Sequence, residues 1–289
     1  MAKLTNYSVI PSESNIPVCF SGNRKIFHGI VLCVLSILKH TKRSITVYVL
    51  TMDLSHLDPR FTAITEGQCS ALDEIVKTYN PENSVVRIDH TTEFLAEFSK
   101  SKNVKTGFTP YTISRLLLDM FPVPDKTIYI DVDTMLCSDI AQLYDIDMTG
   151  WEFAAALDAV GQYWVRPTYC NAGVLLLNIA EMKKTGLFVK ARKRVNKVKM
   201  FMPDQSALNF LVKRKMILPR KFNEQRTIKE DTVIKHFCQF FKWYGPFFRL
   251  KNYKQWDRQN VHEKLNIHDF DDLYELYDEL DAKYDFTNA

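Results

Sequence analysis

Two hydrophobic periods alternate along the first half of this chain, and that alternation limits the fold more than any other feature. "IPVCFSG", Ile16 to Gly22, is a short apolar run ending in a small-residue turn, and "FHGIVLCVLSILKHT" is long and apolar enough for a well-buried helix. "SITVYVLT" reads as a strand, "SALDEIVKTYN" as a helix stopped by Asn80-Pro81, and "SVVRIDH" as a short strand. "TPYTISRLLLDMF" predicts a helix with Thr109 as N-cap and Pro110 at its first position, and "KTIYIDVDTML" predicts the next strand. Strands and helices in this order predict an α/β fold, a mostly parallel sheet with helices on both faces. Ligands of such sheets bind beyond the carboxyl ends of the strands.

Downstream, "WEFAAALDAV" and "YCNAGVLLLNIAEM" read as strands and "DQSALNFLVKRK" as a helix with Asp204 near its start. No linker-like stretch or internal repeat interrupts the 289 residues, so one α/β domain with a smaller, less regular C-terminal part is expected. A net charge of only +4 creates no demand for nucleic acid as a partner. The longest apolar run, Gly29 to Leu38, is far short of the roughly 20 residues a membrane helix needs. The opening residues carry no signal-peptide pattern, so a cytoplasmic location is expected. Cys19, Cys33, Cys69, Cys137, Cys170 and Cys238 are scattered without a CxxC pair, which argues for reduced thiols over a zinc site or disulfides.

Two charge runs stand out. Lys183 to Lys199 holds eight basic residues and no acidic one. The tail is acidic, with Phe270, Leu273, Tyr274, Tyr277, Leu280 and Tyr284 at helical spacing. Solvated helix faces are the simplest reading of both, with contact to an anionic surface or mutual attraction as sharper ones.

Asp131 and Asp133 have two readings: one of them is a turn or cap residue at the strand's end, or both form a paired site for a cation. Alternation along a strand points Tyr129, Asp131 and Asp133 one way and Ile128, Ile130 and Val132 towards the core. Two buried carboxylates ~6–7 Å apart at the backbone repel each other and are costly to desolvate. A hard divalent cation removes that cost because it prefers oxygen ligands. His236 and Lys242, in "VIKHFCQFFKW", add an imidazole ligand and a cation for phosphate. Together these four residues suggest a metal-bound diphosphate.

At this point the chain resembles the retaining glycosyltransferases of family eight, which include bacterial lipopolysaccharide and lipooligosaccharide galactosyl- and glucosyltransferases and glycogenin. The motifs that carry the resemblance are "TISRLLL", "YIDVDTML", "CNAGVLLLN", "PDQSALN" and "HFCQFFKW", in the family's order between about Val18 and Trp243. The resemblance implies a GT-A fold, with residues 1–245 as the nucleotide-sugar-binding catalytic domain and 246–289 as a tail bearing an amphipathic acidic helix. It implies a UDP-sugar donor and manganese, or magnesium, held by Asp131, Asp133 and His236. Arg115 would brace the nucleotide-sugar site, Lys242 would bind phosphate, and Asp158, Asn171 and Asp204 would contact donor-sugar hydroxyls. Ser21, Asn23, Val132 and Ala172 fall at further donor-binding positions.

The resemblance departs at two places. "SGNRKIF" stands where the family carries an Asp-Asp-Asn-Tyr-like run that reads uracil and ribose, so Arg24 and Lys25 reverse the local charge. The family's last motif ends in Lys-Pro-Trp, whereas "KW" stands at Lys242-Trp243.

Retention by double displacement would need a carboxylate on the far face of the sugar. The matching residue is Gln205, a poor nucleophile, which favours attack from the leaving-group face. Trp243, Tyr244, Phe247, Phe248, Tyr253 and Trp256 interleave with Arg249, Lys251, Lys254 and Arg258. Such a mixture suits either a lid over the donor or peripheral contact with anionic lipid at the inner membrane face. A saccharide or glycolipid acceptor follows from the family. The rival readings are a nucleotidyltransferase, which would release pyrophosphate, and a nucleic-acid binder built on Lys183 to Lys199, which would need no metal.

Overall fold

The computed structural model describes residues 2–104, 109–244 and 247–286; the side chains of 241–248 lie outside that description. The alternating segments form the strands β1 (Ile16–Ser21), β2 (Ile45–Thr51), β3 (Ser84–Asp89) and β4 (Lys126–Ile130). All four are parallel, in the order β3-β2-β1-β4, and Val18 lies between Val47 and Ile128. The sheet continues through Val174–Asn178, Phe153–Ala156 and Lys215–Leu218, with Val174–Asn178 antiparallel to both its neighbours. Because chain order reverses between β1 and β4, a cleft opens at their carboxyl ends.

Each sheet face has its own core. On one side lie α1 (Phe27–His40), α2 (Glu66–Tyr79) and the helix Asp271–Tyr284. α1 is buried almost all round because the sheet covers one flank and the C-terminal segment covers the other. Val261, Ile267, Phe270, Leu273 and Phe286 belong to that same core. α2 begins with a capping box, Thr65 with Gln68, and Gln68 also donates from Nε2 to the Phe286 carbonyl at 2.6 Å. The opposite face is packed by the 3₁₀ segment Pro110–Met120 and the helices Leu187–Lys197 and Pro203–Leu211.

Four local expectations change. Thr109 occupies the N-cap position with Pro110 behind it, but its hydroxyl makes no capping bond. "NIAEM" leaves the strand at Asn178, whose side chain caps a helix, Ile179–Thr185, with Ile179 and Met182 buried at helical spacing. The basic run and the acidic tail anchor in different cores. Leu187, Phe188, Ala191 and Val195 anchor the basic helix in one core, Arg192 meets Asp119 at 2.5 Å, and the acidic helix lies against the other.

The fourth change matters most: "IYIDVDTML" is not one strand. It leaves the sheet after Ile130, and Thr134–Leu136 pairs instead with Ile234–His236. The alternation still holds as far as Val132, which is buried with Ile128 and Ile130.

Buried His90 bonds the Ser114 hydroxyl at 2.8 Å, and burial pushes its pKa down to about 4. Below the ordinary imidazole value the unfolded chain takes up a proton that the folded one refuses. Stability is therefore full above about pH 6.5 and is lost as pH falls towards 4, by about 3 kcal/mol for this group. Urea titrations at pH 7 and 4.5 should show that loss, and His90→Gln should reduce it.

Candidate active site

The break after Ile130 builds the site. The Asp131 amide still donates to the Gly173 carbonyl at 2.7 Å, so the first aspartate is pinned to the end of the sheet. The Asp133 carbonyl accepts from the Phe237 amide at 2.8 Å, and Thr134 lies opposite His236. As a result Asp131, Asp133 and His236 present ligand atoms within 4.8 Å of one another.

Each carboxylate has its own cation. Asp131 accepts from Arg115 Nη2 at 2.7 Å, and the same guanidinium meets Asp204 through Nε at 3.0 Å, bonds the Ala172 carbonyl and lies 4.3 Å over the Tyr129 ring. Burial pushes the Asp204 pKa up, and Arg115 opposes that shift. Asp133 lies between His236 Nε2, at 3.2 Å, and Lys254 Nζ, which contacts its other oxygen. Burial alone would raise the Asp133 pKa, but Lys254 and His236 hold it well below the usual carboxylate range. Burial works against the Lys254 charge in turn, and the Asp133 carboxylate outweighs it and raises that pKa.

His236 is oriented by a relay of amides. The Gly173 amide donates to Asn171 Oδ1 at 2.8 Å, which also accepts from Asn223 Nδ2 at 2.9 Å. That fixes Asn223 Oδ1 as acceptor for His236 Nδ1, at 3.0 Å. The imidazole therefore donates from Nδ1 and turns Nε2 towards the aspartates, the atom through which a histidine so oriented would bind a metal. Two carboxylates and an imidazole nitrogen so arranged fit a divalent cation.

Beside the relay is a second hub. Asp158 Oδ1 accepts from the Val160 and Gly161 amides, at 3.0 and 2.6 Å, and Oδ2 accepts from Asn171 Nδ2 and Gln205 Nε2, at 2.9 and 3.1 Å. Gln205 Oε1 accepts from the Ala172 amide at 2.9 Å. Both oxygens of Asp158 and the carbonyl of Gln205 are already engaged, so neither is poised as a free nucleophile.

Most residues singled out from the sequence thus converge: Arg115, Asp131, Asp133, Asp158, Asn171, Ala172, Asp204, Gln205 and His236. Val132 contributes its carbonyl, which Gln255 Nε2 bonds. Ser21 donates to the Tyr111 carbonyl at 3.0 Å. Asn23 spends its amide on its own loop, accepting from the Ile26 amide and donating to the Arg60 carbonyl, both at 3.3 Å. The side chains of Lys242, Trp243, Tyr244, Phe247 and Phe248 lie outside the described residues.

Sequence reasoning placed Lys254 in a lid or membrane-contact segment and not beside Asp133, and it missed Gln255 and Asn223. The signal for Lys254 was present: "KQW" at Lys254-Gln255-Trp256 keeps the lysine and tryptophan of the family's Lys-Pro-Trp at their spacing. Trp256 packs so closely on α1 that a Cβ on Gly29 would come within 2.6 Å of its ring. Asn223 had no such signal.

Residues 15–243 match the family model for glycosyl transferase family 8. A Haemophilus influenzae protein, itself a glycosyltransferase by assignment only, is 24% identical over 247 residues, 76% of this chain and 70% of that one. Glycosyltransferase GlyA of Streptococcus pneumoniae serotype 4 is 32% identical over 110 residues, 37% of this chain but only 16% of its own length. Among solved structures, galactosyltransferase LgtC, in complex with donor and acceptor sugar analogs, aligns at a TM-score of 0.62 and 18% identity, covering 91% of this chain and 96% of that one. Glycosyltransferase GlyE of Streptococcus pneumoniae TIGR4 aligns at 0.56 and 19%, covering 92% and 64%. These likenesses establish the fold as GT-A.

Proposed function

Since the chain belongs to glycosyl transferase family 8 and is a sugar-transferring enzyme, we propose that it moves a hexose, galactose or glucose, from a UDP-sugar to a saccharide or glycolipid acceptor with retention of configuration. The observation that carries this reading is the convergence of Asp131, Asp133 and His236 on one point with Lys254 beside them. A divalent ion held by the three would neutralise the departing diphosphate. Lys254, which contacts Asp133 at the edge of this cluster, would supply a point charge for the phosphates. Lys242 retains the same proposed role through the sequence resemblance.

Asp158 and Gln205 shape the sugar pocket, with Asp204 and Asn171 at its hydroxyls. The saturated bonding of Asp158 and Gln205 supports attack from the leaving-group face, with a diphosphate oxygen taking the acceptor proton. Isolation of a covalent glycosyl adduct on either residue during turnover would sink that route.

The donor is tested by thermal shift across a panel of nucleotide sugars. UDP-galactose or UDP-glucose should raise the melting temperature by several degrees with manganese and by little in EDTA. A preference for another base would overturn the uridine reading. Free UDP as product, with no pyrophosphate, would confirm sugar transfer.

No helix among the described residues is long and apolar enough to cross a membrane. A lipid-borne acceptor would need peripheral contact, and the strands Phe240–Tyr244 and Phe247–Lys251, with Arg249 and Leu250 exposed, are the proposed place for it.

A further inference from the structure

The basic loop that replaces the family's acidic run lines a cavity apart from the residues assigned above to the donor diphosphate. Arg24, Lys25, His28 and Arg60 face Tyr277 and Phe286 around about 430 Å³. Small-molecule sites span roughly 300–1,000 Å³, so this volume admits more than a lone inorganic anion. None of the metal triad, Lys254 or Asp204 belongs to the lining. Trp256, packed on Gly29, is edge-on to the lining residue His28 at 4.8 Å.

Three of the lining side chains are permanent cations and none is a carboxylate. Among the acidic groups near them are Asp58, 2.7 Å from Arg60, and Asp281, which favours the charged form of His28. His28 Nε2 is buried with no hydrogen-bond partner, an unusual state for a ring nitrogen in a native fold. Burial holds the His28 pKa below its ordinary value, so near neutral pH the ring can donate or accept one bond without carrying charge.

We propose that this cavity binds a phosphoryl anion carried on an apolar or planar group, at a site separate from the donor diphosphate. Arginine and lysine side chains suit phosphate oxygens, and the rings of Tyr277 and Phe286 take the attached group. The charge reversal in "SGNRKIF" is thereby assigned to a second ligand and not to the donor base. The inference does not depend on which sugar nucleotide is the donor.

Titrating the full chain with pyrophosphate in EDTA at low salt tests it, because chelation silences the metal triad. One site is expected, weakened at least 10-fold in the Lys25→Gln/Arg60→Gln double variant and unchanged in Asp131→Asn. No binding by the native chain, full retention in the double variant, or loss in Asp131→Asn would each overturn the proposal. Both substituted side chains are solvent-facing, and unchanged manganese-dependent UDP binding by the double variant would show that the donor site is intact. Flotation with phosphatidylglycerol but not phosphatidylcholine vesicles, lost in the double variant, assigns the phosphoryl group to a lipid headgroup. Pyrophosphate binding without flotation assigns it to a soluble phosphate ester.

Discussion

Asp131→Asn is expected to lower sugar transfer by roughly 10³-fold while the protein stays folded. A metal ion on a departing diphosphate supplies several kcal/mol of charge stabilisation, and each 1.36 kcal/mol is tenfold in rate. Asparagine keeps the shape of the side chain and one oxygen but removes a charge from the ligand set. Folding should tolerate the change. Asp131 is partly exposed, and Arg115 keeps Asp204 at 3.0 Å, the Thr112 carbonyl at 3.0 Å and the Ala172 carbonyl, so no buried charge is stranded. Asp133 is the less clean target, because its removal leaves the Lys254 ammonium without its carboxylate. Manganese titration in the presence of UDP, read by calorimetry beside a melting curve, checks both halves of the expectation. Near-native manganese affinity in a folded Asp131→Asn protein would remove this residue from the metal site.

The paired cations also answer how a protein carries two carboxylates at this point before any ion arrives. The sequence showed the cost of the pair but not its local remedy, since Arg115 and Lys254 approach from segments far apart in the chain. The parallel strands were legible because β1, β2 and β4 are buried in the sheet and read as apolar runs, while the half-buried edge strand β3 keeps the β-branched Val85, Val86 and Ile88. The end of β4 was not. "DVDTML" keeps a strand's alternation, and only the neighbouring chains show that the sheet partner ends at Gly173 while a new partner begins opposite Thr134. The tail helix was legible from the spacing of Leu273, Tyr274 and Tyr277, but its place against α1 depends on tertiary packing. Asn223 orients His236 from a loop whose composition signals nothing, so polar relays of this kind become visible only when the backbone is in place.

Gly173→Ala is expected to weaken manganese binding by roughly 10- to 100-fold, the scale seen when a group that orients a metal ligand is lost. The glycine lies where the sheet, the amide relay and the triad meet: its carbonyl holds Asp131 and its amide holds Asn171. A Cβ there would fall 2.2 Å from His236 Cε1 and 2.9 Å from Asp131 Oδ2. No atom tolerates the first approach, so the imidazole must leave its place between Asn223 and Asp133. Overpacking of this kind costs about 1–3 kcal/mol of stability. A double-mutant cycle separates the causes, because His236→Ala removes the ring that the new methyl would strike. In that background the stability cost of Gly173→Ala should largely disappear, while manganese binding stays weak through the absence of the imidazole. If the cost persisted undiminished, the glycine would be required by the backbone at the end of the sheet and not by the histidine that closes over it.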